Sequence, residues 1–155
     1  MKLLHIDSAA TGANSVTREL TAAIVARWQD TLPGLMVTYR DLDAEPLTHL
    51  TGAVLAKVDA QAAAESERTL QQFLDSDVIV IGAPMYNFSV PSTLKAWIDR
   101  IAVSGKTFRY TEKGPEGMVH GKRVVIASGR GGMYGDSSPA DFQEAYLRHL
   151  LAFIG

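Results

Sequence analysis

The sequence of 155 residues contains no cysteine, which excludes disulfide bonds, thiolate nucleophiles, iron–sulfur clusters and zinc sites with cysteine ligands. It also has no excess of charge of one sign, because 15 Lys and Arg stand against 17 Asp and Glu. Nothing therefore predicts a nucleic acid or an anionic membrane surface as a partner. No apolar run approaches the roughly 20 residues of a membrane span, and the first residues do not resemble a signal peptide. We expect a cytoplasmic protein.

Two nucleotide-binding fingerprints are missing as well. No G-x-G-x-x-G follows the first predicted strand, so the sequence does not predict a dinucleotide held in the Rossmann manner. Gly105-Lys106-Thr107 resembles the end of a P-loop, but Arg100 stands where the first glycine belongs, and the segment follows a predicted helix. We interpret that match as accidental.

The histidines give little sign of acid–base or metal chemistry. They are far apart in the sequence, with no spacing typical of a metal site, and we predict neither a metal ion nor a catalytic side chain. The residues are His5, His49, His120 and His149. His120, in the loop before the fourth predicted strand, is the one weak candidate for a role near a site.

The apolar pattern predicts four strands that alternate with four helices. The strands are predicted at 3–6, 35–39, 78–81 and 124–127, and the helices at 15 to about 29, 62–74, 91–101 and 142–151. Residues 41–59 are expected to be irregular or weakly helical. Continuous apolar strands joined by helices predict a single α/β domain over residues 1–155, with a parallel sheet covered on both faces. Ligands of such sheets bind beyond the carboxyl ends of the strands.

The loop after the first strand is rich in hydroxyl groups and leads into a helix. Ser8, Ser15 and Thr17 supply the hydroxyls, and the positive end of a helix favours a phosphate. The loop has no cationic side chain before Arg18, so a phosphate would be held by neutral donors. Taken alone, the loop is better explained by helix capping through Asn14 or Ser15.

The loop after the third strand carries Met85, Tyr86, Asn87 and Phe88 between two prolines. Aromatic and polar groups at a sheet edge provide the flat, partly apolar surface that a planar heteroaromatic ring needs. In the alternative interpretation Met85 and Phe88 belong to the core and Asn87 closes an Asx turn. That alternative is weaker, because aromatic residues in such a loop have little local reason to be there.

The loop after the fourth strand contains three glycines among five residues: Ser128, Gly129, Arg130, Gly131 and Gly132. Glycines let the backbone approach the edge of a ligand and offer several N–H donors, while Arg130 is placed to balance negative charge on a reduced ring. An ordinary flexible turn is the alternative. Three such loops at one sheet edge together favour a ligand that has both a phosphate and a planar ring.

These residues resemble a known family. Residues 79–95, with the run Met-Tyr-Asn-Phe, look like the signature of FMN-dependent NADH-azoreductases and NAD(P)H quinone reductases, and residues 105–117 and 128–132 are similar to that family too. The resemblance implies a flavodoxin-like three-layer sandwich with strand order 2-1-3-4, forming a homodimer with one FMN per subunit. It also implies ping-pong chemistry, in which NADH reduces FMN and the flavin N5 then serves the two-electron reduction of quinones and azo compounds.

The resemblance also assigns the site. It implies that residues of all three loops bind the cofactor. The phosphate is assigned to Ser8, Ala9, Ser15, Val16 and Thr17, and the isoalloxazine to Met85, Tyr86, Asn87 and Phe88. The third loop contributes Ser128, Gly129, Arg130, Gly131 and Gly132, of which Gly129 to Gly132 are assigned to the pyrimidine edge. Phe108 and Tyr110 resemble residues that shape the substrate cavity. Packing of these two aromatics in a dimer contact explains them equally well.

The sequence departs from the family in two ways. Ala9 stands where many relatives carry a serine, which removes one phosphate contact. Relatives continue beyond residue 155 into a fifth strand and helix, so we expect the fourth strand to be an unpaired edge.

A truncated, inactive remnant is therefore one alternative function. A flavodoxin-type electron carrier is another, although a net charge of −2 argues against the acidic docking face it needs. A phospho-receiver is excluded, because strand three ends in Gly82-Ala83-Pro84 rather than in Asp.

Overall fold

The computed structural model describes residues 1–134 and 138–155. The strands in these ranges are β1 (Lys2–Asp7), β2 (Met36–Asp41), β3 (Val78–Pro84), β4 (Phe108–Thr111), β5 (Gly114–Gly117) and β6 (Arg123–Gly129). The helices are α1 (Val16–Thr31), α2 (Gly52–Leu55), α3 (Ala60–Asp75), α4 (Ser92–Ile101) and α5 (Phe142–Ile154), with a 3-10 turn at Gly12–Asn14. None of the helices in these two ranges is long and apolar enough to cross a lipid bilayer.

The main sheet is parallel and has the order β2-β1-β3-β6. Since β6 is the fourth strand predicted from the apolar pattern, the predicted order 2-1-3-4 and the α/β class are confirmed. The central strand β3 is almost completely buried along its length. A continuous apolar run is what a parallel strand covered on both faces requires.

Alternate residues of β3 divide the core into two layers. Val78 and Val80 point to one face and pack with Val25 of α1. Ile79 and Ile81 point to the other face, where α3, α4 and α5 cover the sheet. This alternation follows from the two-residue period of a strand. The molecule therefore has three layers, and the carboxyl ends of all four sheet strands lie along one edge.

The sequence pattern did not predict the β4–β5 hairpin or the helix α2. The hairpin is antiparallel, and at its turn the Thr111 hydroxyl donates to the Gly114 carbonyl at 2.9 Å. Its strands are four residues long and mostly exposed, too short for an alternating apolar pattern to stand out. Helix α2 lies inside the segment expected to be irregular or weakly helical, where Thr51 caps it by accepting from Val54 N.

The outer edge of β6 is unpaired within the described part of the chain, as expected. A cavity of about 550 Å³ lies beside this edge, between β6 and α5. Its apolar walls include Val124, Ile126, Leu147 and Leu151. Val124, Ile126 and Leu151 are only half-buried at this edge, whereas Leu147 is buried in the core.

The C-terminal end of α5 packs directly on the hairpin. Val119 N donates to Ile154 O at 2.9 Å, and the rings of Phe108 and Phe153 lie 4.7 Å apart. Gly117 makes this approach possible. A Cβ at Gly117 would lie 2.6 Å from the Ile154 carbonyl carbon, closer than real side-chain contacts come.

We therefore expect Gly117→Ala to destabilise the protein, because the added methyl group forces the hairpin and α5 apart. Overpacking of this kind costs about 1–3 kcal/mol. Urea unfolding followed by circular dichroism measures the loss. Gly52→Ala is the matched control, since a Cβ at Gly52 meets nothing within 4 Å. Equal unfolding midpoints for the two variants would contradict the close packing of α5 on the hairpin.

Candidate functional site

The loops that follow β1, β3 and β6 are hydrogen-bonded to one another. Ala10 N, in the first loop, donates to the Tyr86 hydroxyl of the second at 3.0 Å. Met85 N, in the second loop, donates to Gly129 O at the end of β6 at 2.7 Å. The first and third loops also touch, because a Cβ on Gly129 would lie 2.7 Å from Thr17 Cγ2. The structure thus brings the three loops predicted from the sequence into one site.

The first loop ends at the start of α1, where Ser15 is the capping residue. Its hydroxyl accepts from Arg18 N at 3.4 Å and lies 2.9 Å from the Thr17 hydroxyl. Ser8, Ser15 and Thr17 are all buried, and Ser8 donates to Gly82 O at 2.7 Å. The capping interpretation of the loop is therefore correct for Ser15, whereas Asn14 belongs to the preceding 3-10 turn. Capping leaves the first N–H groups of the helix free to meet an anion.

Arg18 holds this loop against the end of β2. Its guanidinium forms a bidentate ion pair with Asp41, at 2.6 and 2.7 Å, and donates to the Ala9 carbonyl at 2.9 Å. The hydrogen bond from Arg18 lowers the pKa of Asp41, although burial acts in the opposite direction. Because Asp41 balances its charge, Arg18 positions the loop rather than offering a free cation to a ligand.

A second carboxylate, Asp7, is buried beside this ion pair. It accepts hydrogen bonds from Thr21 at 2.8 Å and from the Tyr39 hydroxyl at 3.0 Å, and His5 Nε2 lies 3.4 Å away. Burial acts to raise the pKa of Asp7, but the contacts with His5, Thr21 and Tyr39 outweigh it and lower the pKa. Burial and the Asp7 charge raise the pKa of Tyr39 to about 12. Gly82 is required beside this group, because a Cβ there would lie 2.7 Å from Asp7 Oδ1.

The second loop forms a strained two-residue turn. Tyr86 and Ser89 exchange backbone hydrogen bonds at 3.0 and 3.1 Å, while Asn87 and Phe88 have φ angles of 50° and 69°. Two central residues with positive φ define a type I′ turn, in which the second position favours glycine. The Phe88 side chain is 54% exposed, so burial in the core does not offset the strain. Left-handed non-glycine residues cluster at functional sites, which makes this turn a candidate for contact with a ligand.

The third loop is tied to the N-terminus of α5 through Arg130. Its guanidinium pairs with Asp141 and, at 3.0 Å, with Glu144, and it donates to the Ser128 hydroxyl at 3.2 Å. Asp141 in turn caps α5 by accepting from Gln143 N and Glu144 N. In this arrangement two carboxylates already balance the charge of Arg130. A role for Arg130 toward a reduced ring stays a prediction.

Phe108 and Tyr110 lie on the hairpin, away from the three loops of the same chain. Phe108 packs on Phe153 near the end of α5, and Tyr110 is 73% exposed. The third loop binds the opposite end of α5 at Glu144. From Glu144 to Phe153 the helix advances about 14 Å at 1.5 Å per residue. One chain alone therefore does not bring these two aromatic residues to the loops.

Sequence reasoning missed the group formed by Asp7, Tyr39 and Asp41 with Arg18. The available signal was an acidic residue at the end of each of the first two strands, with an arginine one turn into the first helix. Only the register of β1 against β2, which sets Asp7 beside Asp41, makes these residues neighbours.

The Arg18–Asp41 pair predicts a specific dependence of stability on pH. Asp41 has a pKa below its ordinary value of 3.8 in the folded state, so its contribution is complete above that value and is lost as the pH falls through the lowered pKa. We expect the difference in unfolding free energy between the wild type and Asp41→Asn to be constant above about pH 5 and to shrink at lower pH. Urea unfolding at each pH measures it, with the exposed neighbour in Asp43→Asn as control. A difference independent of pH would contradict the pairing.

The chain is similar in sequence to proteins named FMN-dependent NADH:quinone oxidoreductases. An FMN-dependent NADH:quinone oxidoreductase of Stenotrophomonas maltophilia is 62% identical over 155 residues, which span 100% of this chain and 79% of that protein. A protein of the same name from Sinorhizobium fredii is 55% identical and is covered to 81% by the alignment, which spans 100% of this chain.

Among solved structures, an azoreductase of Bacillus anthracis superposes with a TM-score of 0.91 at 28% identity, covering 100% of this chain and 82% of that one. An FMN-dependent NADH-azoreductase of the same species, in complex with FMN, has a TM-score of 0.90 at 23% identity, over 99% of this chain and 82% of that one, and shares the fold. The family described as having a flavodoxin-like fold matches residues 1–155. The chain therefore belongs to this flavodoxin-like family.

Proposed function

We propose that this chain is an FMN-dependent NADH:quinone oxidoreductase that also reduces azo compounds. The observation that carries the proposal is the set of three interlocked loops at the carboxyl edge of a parallel sheet. The names of relatives 61–62% identical to this chain support the same activity. For a quinone the reaction balances as NADH + H⁺ + quinone → NAD⁺ + hydroquinone. Bound FMN supplies the hydride chemistry, and the protein supplies position and electrostatics.

The start of α1 fits the phosphate of FMN. Ser15 and Thr17 place two hydroxyls 2.9 Å apart at the start of α1, where the first N–H groups of a helix have no carbonyl partner within the helix. Val16 lies between them in the sequence and is exposed. Arg18 fixes the path of the loop through the Ala9 carbonyl. We infer that neutral donors bind the phosphate dianion.

The second and third loops fit the ring. Asn87 and Phe88 at the strained turn are exposed rather than packed in the core, so both are open to contact with a planar ring. At Gly131 a Cβ would meet no described residue within 4 Å, which leaves space beside that backbone for the edge of a ligand. Met85 N, in contrast, already donates to Gly129 O and holds the two loops at a fixed separation. The assignment of the individual residues to the isoalloxazine and pyrimidine edges comes from the family resemblance and stays a prediction.

We also propose a homodimer. Phe108 and Tyr110 shape a substrate cavity only if a second chain brings them to the loops, because their own α5 separates them from the site. The exposed rings of Phe88, Tyr110 and Phe142 are apolar surface that such an interface would cover.

The single FMN-binding domain over residues 1–155, the cytoplasmic location and the lack of a nucleic-acid or membrane partner stay predictions.

The flavodoxin-type electron carrier is the weaker alternative. A carrier docks its partners through a strongly acidic face, which a net charge of −2 does not favour. The inactive remnant differs from the enzyme only in activity, so experiment decides between them.

Anaerobic addition of NADH to the protein reconstituted with FMN tests the proposed function directly. We expect the flavin absorption band to bleach at least about tenfold faster than it does with the same concentration of free FMN, because the site orients donor and acceptor. Subsequent addition of a quinone should restore the band. Bleaching at the rate of free FMN would contradict the proposal and leave the inactive remnant.

Comparison of FMN with riboflavin tests the phosphate site. We expect Thr17→Val to weaken FMN binding about tenfold, since it removes a hydrogen bond to a charged group, and to leave riboflavin binding nearly unchanged. The dissociation constants are measured by quenching of flavin fluorescence. Ser66→Ala, which removes a hydroxyl bonded within α3, is the control. An equal loss of affinity for both flavins would show that Thr17 does not contact the phosphate.

A further inference from the structure

One side-chain hydrogen bond joins the first loop to the strained turn of the second. The turn is formed by residues 86–89, and the Tyr86 hydroxyl accepts from Ala10 N at 3.0 Å. Within residues 1–134 and 138–155 it is the one hydrogen bond that a side chain of this turn makes. The first loop is the proposed phosphate site and the turn is part of the proposed ring site. This bond therefore connects the two parts of the flavin site.

The strained turn depends on its surroundings for its shape. Asn87 and Phe88 have positive φ angles, which are unfavourable for residues that carry a side chain. Both residues are exposed, so packing in the core does not hold them in this conformation. Tyr86 closes the turn, because its backbone N–H and carbonyl are bonded to Ser89. A restraint on the Tyr86 side chain therefore acts on the residue that closes the turn.

The first loop is weakly held around Ala10. Residues 10–14 are mostly exposed. Apart from the bond to Tyr86, their hydrogen bonds within the described chain are local, such as that from Asn14 N to Thr11 O at 3.1 Å. Exposed backbone with few contacts opens at a low cost in free energy. An anion bound at the start of α1 is therefore able to order this loop and to hold the Ala10 N–H toward Tyr86.

We propose that Tyr86 is a positioning residue whose hydroxyl couples occupation of the phosphate site to the shape of the ring-binding turn. Phosphate orders the first loop, the ordered Ala10 N–H fixes the Tyr86 hydroxyl, and Tyr86 stabilises the left-handed conformation of Asn87 and Phe88. Coupling between two binding sites is reciprocal, so a ring bound at the turn increases the affinity for phosphate by the same factor. This coupling rests on the proposed FMN site.

Hydrogen–deuterium exchange of the full-length, FMN-free protein measures the coupling without a flavin. Inorganic phosphate is added at constant pH and ionic strength. We expect it to slow amide exchange in residues 10–18 and also in residues 85–90, in the turn by about twofold to tenfold, the range of one hydrogen bond. Tyr86→Phe should keep the protection of the first loop and lose that of the turn. Tyr146→Phe is the matched control, because it removes a hydroxyl from the cavity wall beside the same turn.

Riboflavin, which lacks the phosphate, measures the same coupling as an affinity. We expect inorganic phosphate to lower the dissociation constant of riboflavin by about twofold to tenfold in the wild type and in Tyr146→Phe. In Tyr86→Phe phosphate should leave this constant unchanged. The constants are measured by quenching of flavin fluorescence. Equal amide exchange of residues 78–84, in the central strand, shows that the three proteins are equally folded.

The outcomes separate the coupling from the proposed function. Protection of the first loop without protection of the turn in the wild type overturns the coupling and leaves the phosphate site in place. Equal protection of the turn in the wild type and in Tyr86→Phe overturns it as well. If phosphate does not slow exchange in the first loop of the wild type, the proposed phosphate site is wrong and the coupling fails with it. Bleaching of bound FMN by NADH tests the activity independently of Tyr86.

Discussion

The register of β3 between β1 and β6 is the constraint on which the site depends. It sets Gly82 beside Asp7 on one side and Pro84 beside Gly129 on the other, while β1 sets Asp7 beside Asp41. These pairings bring the three loops within hydrogen-bonding distance of one another. A slip of one residue would turn the buried side chains of a strand to the opposite face of the sheet. The packing of the two core layers and the geometry of the site are therefore fixed by the same backbone pairing.

The electrostatic arrangement behind the first loop follows from that register. Two neighbouring carboxylates at strand ends would repel the phosphate that we propose the first loop binds. Asp41 is balanced by Arg18, and Asp7 is satisfied by hydroxyl groups and lies close to His5. The loop thus keeps its partial positive charge at the helix end while the acids beneath it stay ionised. Arg18 serves this purpose better as a fixed brace than as a mobile ligand for the anion.

The sequence predicts the sheet well, because the strands carry continuous apolar runs such as that of Val78 to Ile81 and the helices carry apolar faces at the right spacing. It also predicts that the three candidate loops lie together, since the loops at the carboxyl ends of parallel strands gather at one edge of the sheet. The strain at Phe88 cannot be read from the sequence, because a type I′ turn is normally recognised by a glycine at its second central position. The pairing of Arg130 with Asp141 was hidden for another reason, because it depends on how α5 packs rather than on local pattern.

Helix α5 holds two separate parts of the structure at its two ends. Its N-terminal Asp141 pairs with Arg130 of the third loop, and Phe153 near its C-terminal end packs on Phe108 of the hairpin. A helix turns by about 100° and advances about 1.5 Å for each residue. One inserted or deleted residue within α5 would therefore rotate one end out of contact while the other kept its place. The two contacts therefore fix the length of α5, whereas an insertion in the exposed turn between β4 and β5 would disturb neither of them.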